Sequence, residues 1–128
     1  MPVTSDPGAA APGPEVERKV LGLLGLGMRA RNVVVGVDRV REAVRRSKVI
    51  LAIVAPDASH NSRDKVLPLL SARRVRTWEG STAAALGAAV GKGSTAVVGI
   101  TDAALAAGVR KLLFPAARER QPGSSRTR

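Results

Sequence analysis

Two uninterrupted apolar runs constrain the fold of this chain more than any other feature of its sequence. They are residues 49–55 (V-I-L-A-I-V-A) and residues 95–100 (T-A-V-V-G-I), and each has the length of one strand. Runs without polar alternation are typical of strands that are buried on both faces. Helical patterns precede and follow both runs. The sequence therefore predicts an α/β protein in which helices cover both faces of one sheet.

The other elements alternate along the chain. Apolar residues at helical spacing predict helices over residues 16–28 and 36–46, a β-branched run predicts a strand over residues 33–35, and another short strand is expected over residues 75–78. Three more helices are expected, and their capping residues are Ser59, then Ser81 or Thr82, then Thr101 and Asp102. Pro68 should kink or interrupt the first of these, and Pro115 should end the last near Phe114. This alternation predicts a mainly parallel sheet.

The length and the terminal compositions indicate one domain. A chain of 128 residues has room for a single hydrophobic core. Residues 1–14 are rich in Pro, Gly and Ala and predict a flexible arm, while residues 116–128 predict a basic, disordered tail. The folded domain is therefore expected over residues 15–115. No apolar run has the length of a membrane span and no secretory leader pattern is present, so a cytoplasmic protein without a membrane partner is expected.

The charge of the chain points to a polyanionic partner. The net charge is +11, from 21 Lys and Arg against 10 Asp and Glu, and most of it lies between the two terminal segments. Residues 29–48 are the densest part, with seven basic residues, and Gly36 divides a β-branched run from a helical pattern there. Both a helix N-terminus and clustered guanidiniums attract phosphate. The segment predicts a nucleic-acid-binding surface.

The sequence gives little support to catalysis or to a bound cofactor. The absence of Cys excludes thiolate chemistry, and the single His60 lies in a polar segment where we expect it to be solvated. The glycines at 22, 25 and 27 lack the dinucleotide-binding order, and residues 87–95 fail the P-loop spacing, so helix packing and a plain loop are predicted instead. We expect no enzyme, no metal and no cofactor. Aromatic stacking platforms are also lacking, and Trp78 is expected to be half-buried.

Several motifs carry a family resemblance. Gly36 begins the second helix, A-P-D-A at residues 55–58 ends a strand, Pro68 lies in the third helix, and Leu86-Gly87 precedes the glycine loop that starts at Gly91. Their order and spacing resemble the L-seven-Ae/L-thirty-e ribosomal-protein superfamily, above all its short bacterial members, over residues 16–115. Members of that superfamily bind kink-turn and related RNA. The resemblance implies a three-layer α/β/α sandwich around a four-stranded mixed sheet.

The resemblance also implies a binding site. In that superfamily a G-x-N-E-like motif at the start of the second helix reads tandem sheared G·A pairs, and here the matching residues are Gly36, Val37, Asp38 and Arg39. Ionised Asp38 offers only acceptors and Arg39 only donors, which favours phosphate or guanine. Residues 91–95 match the second contact loop. The RNA-binding residues implied or expected from charge are Arg29, Arg31, Gly36, Val37, Asp38, Arg39, Arg41, Lys92, Gly93 and Ser94, with Arg45 and Arg46 as further phosphate contacts.

These observations together indicate a non-catalytic RNA-binding protein, expected to be monomeric, that recognises structured RNA of kink-turn-like or ribosomal kind or the ribosome itself. Two alternatives remain open. One is a protein-interaction module that has the same fold but has lost specific RNA recognition, which the residues at 38 and 39 would favour. The other is an RNA-modifying enzyme, against which the lack of a cofactor loop and of catalytic groups counts.

Overall fold

A computed structural model describes residues 13–114, which form five helices around a four-stranded sheet. The helices are α1 (Pro14–Arg29), α2 (Val37–Arg45), α3 (His60–Ala72), α4 (Ala83–Val90) and α5 (Ala103–Leu113). The strands are β1 (Val33–Val35), β2 (Leu51–Val54), β3 (Arg76–Glu79) and β4 (Val97–Ile100). Every helix and strand predicted from the pattern is confirmed. Residues 1–12 of the predicted arm, the tail and the stop at Pro115 lie outside the described residues, whereas Gly13 and Pro14 are the N-cap and the first residue of α1.

The sheet has the strand order β1-β4-β2-β3 and is mixed. β4 pairs antiparallel with β1 (Val33 opposite Ile100) and with β2 (Leu51 opposite Ile100), whereas β2 and β3 pair in parallel. The prediction of a mainly parallel sheet is therefore wrong, and the mixed sheet implied by the resemblance is confirmed. The reason lies after β3, where the Thr95 N–H donates to the carbonyl of Ala83 at 3.0 Å. The chain thus enters β4 at the end where it left β3, so β4 runs in the opposite direction.

Two hydrophobic layers hold the helices on the sheet. One layer packs α1, α4 and α5 against Leu51, Ile53 and Val98. The other packs α2 and α3 against Ala52, Val54 and their neighbours. Because successive strand residues point to opposite faces, the uninterrupted apolar run in β2 supplies both layers at once. The three-layer α/β/α sandwich is confirmed, and β1 and β3 are the edges of the sheet.

Local signals in the sequence set most helix starts. The side chains of Ser59, Thr82 and Asp102 accept hydrogen bonds from main-chain N–H groups in the first turns of α3, α4 and α5. These caps satisfy donors that have no partner inside the helix. Two capping residues were predicted for each of α4 and α5. Thr82 and not Ser81 caps α4, and Asp102 and not Thr101 caps α5. The hydroxyl of Ser81 is fully buried and donates to Glu17 of α1 at 2.9 Å instead.

Four helices end in the same hydrogen-bonding pattern. At the end of α1 the Asn32 N–H donates to Gly27 and the Arg31 N–H to Met28, and equivalent pairs of bonds end α2, α3 and α4. This pattern requires a left-handed residue just after the helix, a place that glycine usually takes. Gly91 takes it after α4 with φ 73°, but the other three positions hold Arg31 (φ 62°), Ser47 (φ 59°) and Arg74 (φ 59°).

Two expectations about helix interiors have different outcomes. α3 continues from His60 to Ala72 through Pro68, so Pro68 does not interrupt the helix, and the alternative of a kink stays a prediction. The flanking Val66 and Leu70 are buried against the sheet and hold the helix in place while the proline is exposed. The predicted close packing of the α1 glycines is confirmed at residues 25 and 27, where a Cβ would lie 2.9 Å from the Ala89 carbonyl oxygen and 2.5 Å from the Leu105 side chain, but not at residue 22, where a Cβ would meet no atom within 4 Å. No helix among residues 13–114 is long and apolar enough to span a membrane.

Candidate nucleic-acid interface

A groove of about 490 Å³ opens where the start of α2 meets the loop between α4 and β4. We call it the principal groove. Edge strand β1 forms its floor, α2 and the loop form two walls, and single residues of α1 and α3 close it. Its lining comprises Met28, Val33, Val34, Val35, Gly36, Val37, Arg39, Ser62, Lys92, Ser94, Thr95 and Ala96. The groove therefore combines an apolar floor with two cationic side chains and exposed main chain.

The start of α2 lines this groove through Gly36, Val37 and Arg39. No side chain of the described residues caps α2, whose N-cap is Gly36. Gly36 has φ 98° and ψ 157°, a conformation that residues with a Cβ avoid, and its own N–H donates to Val97 at 3.0 Å. The first-turn N–H groups of a helix lack intrahelical partners and carry partial positive charge. The uncapped start of α2 is thus suited to an anionic ligand.

The opposite wall is the loop of residues 91–95, which the main chain holds in shape. Gly91 adopts the left-handed conformation, and the Lys92 N–H donates to Gly87 at 2.8 Å. The hydroxyl of Thr95, a buried residue, donates to the carbonyl of Gly93 at 2.9 Å. A Cβ on residue 87 would overlap the Gly93 carbonyl, so the loop packs directly on α4. Lys92 and Ser94 project from a defined backbone rather than from a loose turn.

The structure brings half of the expected binding residues into the principal groove. These lining residues come from two segments that lie more than 50 positions apart in the sequence. They are Gly36, Val37 and Arg39 in the first segment, and Lys92 and Ser94 in the second. The remaining five do not line it, and they are Arg29, Arg31, Asp38, Arg41 and Gly93. All of these except Arg41 are exposed.

Arg41 differs from the other arginines of α2. Its side chain is partly buried, and its Nε has no hydrogen-bond partner among the described residues. The side chain therefore packs against the body of the protein through part of its length, which restricts the positions that its guanidinium can reach. The role expected for Arg41 in binding stays a prediction.

Sequence reasoning missed several residues of the groove. Ser62, in the first turn of α3, is among them, as are Met28 near the end of α1 and the side chains of β1. The Ser62 hydroxyl accepts a hydrogen bond from Ser59 at 3.0 Å, which leaves its own proton available. Nothing in the local sequence marks these residues, because only the packing of α1 and α3 beside β1 brings them to the groove.

The side chains that line the groove are suited to binding an anionic ligand. Arg39 and Lys92 supply donors and positive charge, and the valines of β1 supply an apolar contact surface. Among residues 13–114 no group of three or more His, Asp or Glu side chains is placed to hold a metal ion. His60 lies outside the groove lining, highly exposed, and its Nε2 is 3.3 Å from a carboxylate oxygen of Asp64 in the next turn of α3.

Comparisons with known proteins agree with this architecture. The model of the Ribosomal protein L7Ae/L30e/S12e/Gadd45 family matches residues 18–107. The RNA-binding protein YlxQ of Bacillus subtilis (strain 168) is 38% identical over 80 residues, which cover 62% of this chain and 80% of that protein. The protein of the same name from Enterococcus faecium is 31% identical over 96 residues, covering 75% of this chain and 92% of the relative.

Solved structures show the same relationship. A protein with unknown function from Bacillus halodurans C superposes with a TM-score of 0.69 at 32% identity, covering 74% of this chain and 96% of the other. The Giardia lamblia 15.5kD RNA binding protein gives a TM-score of 0.69 at 25% identity, with 88% and 98% covered. The family model matches from within α1 to within α5, so its match includes all four strands of the sheet. This chain belongs to the Ribosomal protein L7Ae/L30e/S12e/Gadd45 family.

Proposed function

We propose that this chain is a non-catalytic, monomeric RNA-binding protein of the cytoplasm. It recognises structured RNA, kink-turn-like or ribosomal, through the start of α2, the glycine-rich loop and arginines. The observation that carries the proposal is the juxtaposition of uncapped α2 with Lys92 and Ser94 across one groove. The printed names of the YlxQ relatives and of the Giardia lamblia protein, each an RNA-binding protein, support the same function.

The chemistry of the groove supports different roles for its residues in this proposal. Main-chain N–H groups at the start of α2 and the ammonium group of Lys92 hold phosphate, because both supply donors and positive charge. Arg39 has a planar guanidinium that can bind phosphate or the O6 and N7 atoms of guanine in a bidentate manner. Gly36 allows the RNA backbone to approach closely. Arg29 and Arg31, exposed near the end of α1, add contacts outside the groove.

The proposed RNA-binding unit is residues 15–115, and the basic residues of 116–128 add a nonspecific attraction. Asp38 is exposed beside the groove and carries the same charge as phosphate. Its carboxylate can accept hydrogen bonds only, for example from the exocyclic amine of a base. The Asn of the G-x-N-E-like motif has an amide that both accepts and donates hydrogen bonds. Because Asp38 can only accept them, the site binds a narrower set of RNA structures.

A charge-reversal pair tests the proposal. RNA crosslinking in cells followed by sequencing should enrich one structured element, and a kink-turn hairpin with tandem G·A pairs serves as a defined probe in solution. We expect Arg39→Glu to raise the Kd for the bound RNA by about 5- to 150-fold, the effect of losing one specific arginine contact. Arg110→Glu reverses the same charge at an exposed residue of α5, in the opposite layer, and should have a much smaller effect.

Two results would contradict the proposal. Equal losses for the two variants would mean that the start of α2 forms no specific site. Crosslinking that recovers no RNA above background, together with no measurable binding to the hairpin, would favour a protein-interaction module of the same fold.

A further inference from the structure

We propose that a second groove, on the outer side of α2, carries the RNA backbone beyond the principal groove. We call it the α2–β1 groove. It has a volume of about 310 Å³ and is lined by Val34, Arg39, Glu42, Ala43, Arg46 and Lys48. This inference rests on the proposed function and extends its binding surface along the whole length of α2.

The two grooves are adjacent. Val34 of edge strand β1 and Arg39 of α2 line both of them, so Arg39 stands on the boundary between the grooves. A nucleic-acid strand held by the start of α2 can pass Arg39 and enter the α2–β1 groove without leaving the protein surface. Because β1 is the edge of the sheet, no further strand covers this path among the described residues.

The spacing of the side chains suits a phosphate backbone. Arg39, Glu42 and Arg46 occupy positions i, i+3 and i+7, which lie on one face of a helix. With a rise of about 1.5 Å per residue, Arg39 and Arg46 are separated by about 10 Å along the axis. This separation exceeds one nucleotide step, which is about 3.4 Å along the axis of a B-form strand, so the two guanidiniums can contact different phosphates. Lys48 extends the row past the end of α2, where its N–H donates to Ala43 at 2.9 Å.

The charges of the groove favour a polyanion. Three cationic side chains face one acid, Glu42, whose carboxylate lies 3.0 Å from Arg46. Both partners of this ion pair are 65% exposed, and exposed pairs of this kind contribute little to stability. Arg46 can therefore exchange Glu42 for a phosphate. The floor, formed by half-buried Val34 and buried Ala43, offers an apolar surface to a ribose.

Salt dependence of RNA binding tests the inference, with the tandem-G·A hairpin as the probe and stems of ten base pairs on both sides. We expect Arg46→Gln with Lys48→Gln to raise the Kd and to reduce the slope of log K against log salt by about 1 to 2, since each phosphate contributes about 0.7 to 0.9. The control, Arg110→Gln with Lys111→Gln, removes the same charge from exposed residues of α5 and should change the slope much less.

A substitution of the opposite sign sharpens the test. Glu42→Gln removes the only acid of the groove lining and should lower the Kd. Glu15→Gln is its matched control, because Glu15 forms an exposed i,i+4 ion pair with Lys19 on α1. Glu15→Gln should change the Kd less than Glu42→Gln does. Melting temperatures of all variants separate loss of binding from loss of folding.

The outcomes distinguish this inference from the proposed function. If Arg39→Glu weakens binding while the Arg46 and Lys48 pair behaves like its α5 control, the α2–β1 groove does not bind RNA and the principal groove does. If Glu42→Gln has no larger effect than Glu15→Gln, the inference is likewise overturned. If the wild-type protein does not bind the hairpin in preference to a plain duplex, the proposed function itself fails for this RNA class.

Discussion

The three helices that end on a left-handed residue other than glycine offer a direct test of the structure. Ser47 and Arg74 have φ 59° after α2 and α3, and both side chains are exposed. An L-residue in this conformation costs about 1–2 kcal/mol, which glycine avoids. A glycine substitution removes this cost, but it also makes the unfolded chain more flexible, which offsets about 0.5–1 kcal/mol of the stabilisation. Ser47→Gly and Arg74→Gly should each stabilise the protein by about 0.5–1 kcal/mol.

Thermal unfolding provides the assay. For a domain of about this size, 1 kcal/mol shifts the melting temperature by roughly 4–8 °C, so each substitution should raise it by about 2–8 °C. The two sites end different helices, and the double variant should show nearly the sum of the two gains. Gly91→Ala is the reverse control: φ is 73° and a Cβ would meet no atom within 4 Å, so only backbone strain should lower its stability.

Arg31 separates stability from binding in the same series. It has φ 62° after α1, and we expect Arg31→Gly to raise the melting temperature as the other two glycines do. Because Arg31 is also an expected phosphate contact, this variant alone should weaken RNA binding while becoming more stable. If Ser47→Gly and Arg74→Gly leave the melting temperature unchanged or lower it, the argument that left-handed strain destabilises these two sites is refuted.

Three further predictions concern the loop, the core and the electrostatics. Gly87→Ala places a Cβ on the Gly93 carbonyl and should destabilise the protein by about 1–3 kcal/mol and weaken RNA binding, whereas Gly93→Ala, with open space around its Cβ, should be nearly neutral in chemical denaturation. Ile53→Ala empties a fully buried site and should cost about 2–5 kcal/mol, while Leu26→Ala, 56% exposed, should stay within about 0.5 kcal/mol. If about five phosphates are engaged, log K should fall against log salt with a slope near −4, and a flat dependence would contradict the electrostatic model.

Some elements could be predicted from the sequence because their causes are local. The capping side chains of Ser59 and Thr82 bond to N–H groups three residues further on, and the apolar run in β2 requires burial wherever the strand lies. The direction of β4 has no local cause. It depends on a single return of the chain, in which Thr95 bonds back to Ala83 across α4. Alternation of helices and strands is compatible with either direction, so the pattern alone gave the wrong orientation.

Some residues of the candidate site could likewise be predicted from the sequence, and others could not. Gly36 and Lys92 were expected from a glycine before a helix and from a basic glycine loop, and the structure places both beside one groove. Ser62 and Met28 reach that groove only through the packing of α3 and α1, which no short motif encodes. The left-handed ends of α1, α2 and α3 could not be predicted from the sequence either, because Arg31, Ser47 and Arg74 do not indicate a left-handed turn as glycine does.

The start of α2 differs from the starts of α3, α4 and α5 for one physical reason. A capping side chain must stand on an N-cap residue with extended backbone and negative φ, as Thr82 does with φ −69°. Gly36 has φ 98°, so a side chain there would be strained even though a Cβ would meet no atom within 4 Å. Its main chain is fixed on both sides, with its N–H bonded to Val97 and its carbonyl to Val40. The backbone that joins β1 to α2 therefore disfavours a cap, and the first-turn N–H donors have no capping side chain at the end of α2 that lines the groove.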